Sequence, residues 1–171
     1  MSISIHQKNS PSFDPNLRWA LSCASGYLQL GLFSEGAREL SSLGLEYQTE
    51  PQVLELRIRI LIARKQCGKA AKLAKLATRL HPNLIDFYIL TALAYDEKGN
   101  PKKAKEVWLS VPYSFQGSGF LHYEIARCEK KLGNHLSAHK HIEEAIKIDG
   151  DISQSLIDYS EMNPTTEGYF I

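Results

Sequence analysis

Residues 85–118, IDFYILTALAYDEKGNPKKAKEVWLSVPYSFQGS, carry the pattern that decides the fold. Apolar residues recur there at three- and four-residue steps on both sides of a breaker, Gly99-Asn100-Pro101, which predicts two amphipathic helices joined by a turn. Working outward, the same small-residue and aromatic pattern returns every 34 residues, in units that start at Leu17, Pro51, Ile85 and Gly119 (51−17 = 85−51 = 119−85 = 34). One column of this frame reads Ala24, Ile58, Ala92, Ala126, and another Gly36, Ala70, Ala104, Ala138, with no insertion across the four units. A small residue lets two helix axes approach near the short end of the usual range of about 8–10 Å while larger neighbours fill the sides. A fixed period of this length is the mark of a stacked helix-turn-helix array, which builds an extended binding surface and implies no chemistry of its own.

The first helices are predicted over 17–30, 51–64, 85–98 and 119–132, and the second helices over 34–46, 68–81, 102–110 and 136–148. The breakers between them are Gly31, Gly68, Gly99 with Asn100 and Pro101, and Gly133 with Asn134. Asn16, behind Pro15, is the expected N-cap of the first helix, and Pro51 and Pro101 suit first-turn positions where a missing N–H costs little. Pro112 should stop the second helix of the third unit early, leaving Tyr113 to Gly119 as a loop. These features divide the chain into a flexible segment at 1–16, a repeat domain at 17–162 and a tail at 163–171. Within the domain lie repeats 17–50, 51–84, 85–118 and 119–150 and a capping helix at about 151–162, with Asp151 as its N-cap.

The units resemble tetratricopeptide (TPR) repeats. The resemblance rests on Ala24, Tyr27 and Gly31; on Ala70, Ala77 and Pro82; on Tyr88, Ala92, Tyr95, Gly99, Ala104 and Trp108; and on Ala126, Gly133, Ala138 and Ala145. It covers roughly residues 17–150 and is weakest in the first helix of the second unit, where Arg57, Ile58 and Lys65 stand in place of Leu, a small residue and Gly. It implies an all-α, right-handed superhelical solenoid of four helix-turn-helix repeats with a C-terminal capping helix. It also implies that the first helices line a concave groove. The groove candidates are Arg18, Leu21, Ser25 and Leu28; Gln52, Glu55, Arg59 and Ile62; Asp86, Ile89, Leu93 and Asp96; and Phe120, Tyr123, Arg127 and Lys130. Their mixture of apolar and charged side chains favours an amphipathic peptide or helix. The Lys/Asn/Arg clamp with which some family members hold acidic chaperone C-termini is absent, since the matching positions are Leu21, Ser25, Leu56, Asp86 and Leu90.

Composition narrows the function classes. With 20 Lys and Arg against 19 Asp and Glu, the chain lacks the strongly basic signature of a dedicated nucleic-acid binder. Its one basic stripe, Lys69, Lys72, Lys75 and Arg79 with Lys65 just ahead, spans about 120° of a helix and is the alternative surface, for nucleic acid or another anionic ligand. No segment approaches the roughly 20 apolar residues that span a bilayer, and residues 1–15 hold no apolar run of export-signal length. Three cysteines, Cys23, Cys67 and Cys128, without a C-x-x-C pair fit a reducing cytoplasm and no structural zinc site. His135, His139 and His141 form the histidine cluster, too few ligands for a metal site. No P-loop, dinucleotide fingerprint, H-E-x-x-H or nucleophile elbow appears, so no cofactor and no enzyme activity are expected. The apolar end, Tyr169 to Ile171, suggests weak self-association. The expectation is a cytoplasmic, non-catalytic protein-interaction scaffold or assembly chaperone.

Overall fold

A computed structural model describes residues 14–150. The capping helix expected at 151–162, the N-terminal segment up to residue 13 and the apolar end lie outside those residues. All regular structure among the described residues is helical: α1 (Pro15–Gln29), α2 (Phe33–Ser41), α3 (Pro51–Ala63), α4 (Cys67–Leu80), α5 (Ile85–Glu97), α6 (Pro101–Leu109), α7 (Gly119–Lys131) and α8 (His135–Ile148). Single 3-10 turns follow α2 at Leu45–Tyr47 and α6 at Tyr113–Phe115. None of these helices is long and apolar enough to cross a membrane.

The helices pack as two compact units, Met1–Lys98 and Gly99–Ile171, divided between the two helices of the third sequence unit. In the first, α1 packs on α2, α3 on α4, and α4 on α5, while α3 also touches α1 and α5. Its core is a cluster of Leu54, Ile58, Ala70, Ala71, Ala74, Ala77, Phe87, Leu90 and Ala94, with a smaller one of Ala24, Leu40 and Ile60. In the second unit, α7 packs on both α6 and α8.

The small columns have the physical role expected of them. Ala24, Ile58, Ala92 and Ala126 are buried, as are Gly36, Ala70, Ala104 and Ala138. A Cβ added at Gly36 would stand 3.2 Å from Ile60 Cδ1 and 3.3 Å from the Ala24 carbonyl oxygen, so the backbone of α2 rests directly on its neighbours.

The inter-helix turns correct one expectation. Left-handed backbone occurs at Gly31, Lys65, Gly99 and Gly133, one residue per 34. In three of these turns the next N–H closes back onto the preceding helix: Leu32 to Tyr27, Gln66 to Leu61 and Asn134 to Glu129, each 2.8–2.9 Å. The second breaker is therefore Lys65, at φ 57°, and not Gly68, which lies inside α4. The 34-residue geometry is strong enough to impose a conformation that L-residues avoid.

The N-cap of α1 is also corrected. Asp14, not Asn16, caps it, with Oδ1 accepting the N–H groups of Asn16 (2.7 Å) and Leu17 (3.4 Å), and Pro15 occupies the first turn. The second oxygen of Asp14 accepts a hydrogen bond from the Tyr47 hydroxyl, which ties the start of α1 to the turn after α2. That bond and the Asn16 N–H hold the Asp14 carboxyl below its usual range, and the phenol is pushed up to about 12.

The second helices alternate in length. α2 and α6 have nine residues each, whereas α4 and α8 have fourteen. α2 thus ends at Ser41, short of the expected 46, and α6 closes at Leu109 in the same way. Ser42 Oγ donates to the Glu39 carbonyl and Ser110 Oγ to that of Val107, both at 2.7 Å. Gln48 Nε2 donates to the Leu43 carbonyl and Gln116 Nε2 to that of Val111, both at 3.0 Å. These side chains occupy carbonyls near the helix ends and favour a tight turn over another helical turn. The segment expected as a loop after Pro112 is therefore an ordered 3-10 turn in its first part.

Candidate functional site

The groove candidates of the first unit lie on three neighbouring helices, since α3 touches both α1 and α5. Arg18, Gln52, Arg59, Asp86 and Leu93 are exposed, and Leu21, Ser25, Leu28, Glu55, Ile62, Ile89 and Asp96 are half-buried. Leu21 and Leu28 pack against the Ala24–Leu40–Ile60 cluster and Ile62 against the larger core, so these three have a structural role whatever else they do. Arg59 Nε donates to Glu55 Oε1 at 2.8 Å one turn away, so the two charges largely cancel. Leu93 is 40% exposed, an apolar side chain on the outer side of α5 between Ile89 and Asp96.

In the second unit, Phe120 is exposed yet meets buried Trp108 edge-on, with centroids 5.8 Å apart at 87°. Arg127 Nη1 donates to both oxygens of Glu124 at 2.9 Å, and its Nε is buried. Tyr123 and Lys130 are half-buried on the same helix.

The basic stripe of α4 has Lys69, Lys72, Lys75 and Arg79 exposed, opposite Ala70, Ala74 and Ala77, which are buried. Lys65 is drawn away from it, with Nζ 2.8 Å from Glu97 Oε2.

Two side-chain clusters of the second unit have no visible sequence signal. Glu129 of α7 is 4% exposed and accepts hydrogen bonds from Lys105 Nζ of α6, Asn134 Nδ2 and Ser137 Oγ of α8, all at 2.8 Å. Burial pushes this carboxyl up, but the three hydrogen bonds and the Lys105 charge outweigh it and hold the pKa at about 2. The second cluster is His122 of α7 with His141 of α8, whose Nδ1 atoms are 3.1 Å apart. The expected histidine cluster is thereby rearranged: His141 pairs with His122, and His139 instead faces Glu143 at 3.4 Å. Helix packing brings together residues 19 and 24 positions apart, spacings that no short motif records.

No family model and no curated protein matches the chain. Solved structures do match. A crystal structure of MamA superposes with a TM-score of 0.69 at 19% identity, covering 82% of this chain and 83% of that one. A MamA of Desulfovibrio magneticus RS-1 gives 0.67 at 14% identity, covering 80% and 77%. A thermophilic TPR protein of Thermus thermophilus gives 0.68 at 15% identity, covering 88% and 82%. The fold is TPR-like. At such low identity the likeness extends to the helical-repeat architecture, and the residues that face outward are this chain's own.

Proposed function

We propose that this TPR-like chain is a non-catalytic protein-interaction scaffold that holds a peptide or helix of a partner protein against its first helices. The observation that carries the reading is the outer side of α5, where Asp86, Ile89, Leu93 and Asp96 remain at least partly exposed while the other side of the helix buries Phe87, Leu90 and Ala94. An apolar strip with acidic ends fits an amphipathic segment that carries basic residues. Arg18, Gln52 and the Arg59–Glu55 pair of the same unit add polar contacts beside it. An assembly-chaperone role is one form of this reading.

The test is affinity capture from the source cell with the Leu93→Asp/Arg59→Glu double variant. Loss of the partners captured by the unaltered chain is the expected result, and equal recovery would remove the support for this face. Arg127 is a poor probe, because its Nη1 is bonded to both oxygens of Glu124, which makes charge reversal a structural change.

A second reading rests on the α4 stripe. Among the described residues none of Lys69, Lys72, Lys75 and Arg79 enters an ion pair, which leaves four cations on one helix for an anionic ligand such as nucleic acid. Binding that weakens steeply with salt and is lost in Lys72→Glu/Lys75→Glu would favour it.

A further inference from the structure

Trp19, Cys23, Gly26 and Leu30 step along α1 by four, three and four residues, which gathers them within about 60° of the helix surface. In each later unit a second helix packs ahead of the first one, α2 on α3, α4 on α5 and α6 on α7. The counterparts of Trp19 there are Val53, Phe87 and Leu121, those of Gly26 are Ile60, Ala94 and Cys128, and all six are buried. Among the described residues no helix precedes α1. Trp19 is accordingly 72% exposed and Leu30 74%, and a Cβ added at Gly26 would meet nothing within 4 Å. The end of a stacked array ordinarily turns a polar face outward. Here the largest apolar side chain of its column takes that place, and the one charged residue of α1, Arg18, lies off the stripe.

We propose that this stripe is a homodimer contact, in which α1 packs antiparallel on the same helix of a second copy. The four, three, four spacing reads the same from either end, so the stripe is self-complementary, as a two-fold interface requires. An axis between Cys23 and Gly26 sets Trp19 against Leu30 of the partner subunit and Cys23 against Gly26 of the partner subunit. Large side chains meet at the two ends, and the small ones at the centre let the helix axes come within about 8 Å. The two Arg18 charges then stand about 20 Å apart along the axes, well beyond the roughly 8 Å over which charges act at physiological ionic strength, so they do not oppose the contact. Four large apolar side chains make an interface at the small end of specific contacts, below about 1,200 Å² in total, so the dimer is weak and reversible. None of the stripe residues is a groove candidate, and the contact leaves the face proposed to hold a partner segment free.

The experiment is sedimentation equilibrium of the full chain under reducing conditions, from about 1 to 500 μM, with tryptophan emission followed over the same range. A monomer–dimer equilibrium is expected, with a blue shift that grows with the dimer fraction. The chain holds two tryptophans and Trp108 is already buried, so the shift reports Trp19. Trp19→Gln and Gly26→Gln should each weaken dimerisation by about tenfold or more, the first by removing an aromatic anchor and the second by overpacking the centre. Gly26→Gln is the sharper test, because the space around Gly26 is open within one chain and Gln is the better helix former. The melting temperature of its dilute monomer should therefore hold or rise while the dimer is lost. A monomer throughout, assembly that grows past two chains, or a dimer that survives both substitutions would overturn the proposal. So would a Trp19 already shielded in the dilute monomer, which would make the chain's own residues its cover.

Discussion

At Leu61 in α3 and Glu129 in α7, one position of the repeat carries an apolar side chain in one unit and a buried carboxylate in the other. The two sit 68 residues apart, and that offset relates whole helices: α2 to α6, α3 to α7 and α4 to α8 begin 68 residues apart (101−33 = 119−51 = 135−67 = 68). Their lengths match, and so do the 3-10 turns that follow α2 and α6. In the first unit, Leu61 packs against the large core cluster and Ala37 against the smaller one. In the second, the equivalent positions are Glu129 and Lys105, joined in an ion pair and supported by Asn134 and Ser137, where the first unit has Gln66 and Lys69. The same helix path therefore tolerates an apolar and a polar solution. What it does not vary is the punctuation: the column of Gly36 and Ala70 against Ala104 and Ala138, the left-handed backbone at the turn, and the Ser and Gln bonds that end α2 and α6.

The comparison can be broken most severely at the buried column that holds Ile58 in the first unit and Ala126 in the second. Ile58 is fully buried, so Ile58→Ala should leave a cavity and cost about 2–5 kcal/mol in urea unfolding. If the cost were under about 1 kcal/mol, the helices would have closed over the space left by the side chain.

The polar solution is the next target. Lys105→Ala, which copies Ala37, strands the Glu129 carboxylate and should cost about 2–3 kcal/mol, somewhat below the full range for a buried pair because Lys105 is partly exposed. Adding Glu129→Leu, which copies Leu61, should recover much of that loss, so a double-mutant cycle should show strong non-additivity. Acid offers an independent check. The Glu129 carboxyl has a folded-state pKa of about 2 against an ordinary 4.5, so its stabilisation is complete above pH 4.5 and is lost as the pH falls toward 2. The loss is on the order of 3 kcal/mol. Thermal melts of the unaltered chain across that window should fall more steeply than those of the double variant.

Smaller effects sharpen the match between the two 3-10 turns. Gly44 and Pro112 occupy equivalent positions with φ −58° and −53°, so Gly44→Pro should stabilise by about 0.4–1 kcal/mol by restricting the unfolded chain. The atoms nearest an added Cβ belong to the exposed Glu46 carboxylate, which has to move aside. The smallest effect is expected at the turn column, where Lys65→Gly copies Gly133. Relief of the left-handed strain, about 1 kcal/mol, is partly offset by loss of the exposed Lys65–Glu97 pair, so a slight rise in melting temperature is expected.

Much of the fold was legible because repetition turns weak local signals into a frame. Any one Ala or Gly says little, but Ala24, Ala92 and Ala126 in one register, with Gly31, Gly99 and Gly133 in another, locate the helices to within one or two residues at most ends. The errors fall where a single side chain decides a terminus. Asp14 outcompetes Asn16 because it also reaches Tyr47, and Ser42 with Gln48 ends α2 early by hydrogen bonds that leave no trace in hydropathy. The candidate positions all remain at least partly exposed, yet the frame could not tell Leu21 and Leu28, which pack against the smaller core cluster, from Leu93, which is 40% exposed.

The sequence by itself determined the helix pattern, the three turns marked by Gly31, Gly99 and Gly133, and the small columns, because those depend on periodicity and on backbone freedom, which are local. The tertiary structure alone decided that Glu129 meets Lys105, that His141 turns to His122 and that Lys65 adopts a glycine conformation. The two contacts depend on which side chains packed helices bring within about 3 Å, and sequence separations of 24 and 19 residues carry no such distance. The Lys65 conformation depends on the closure of α4 against α3, which the residue's own preference opposes.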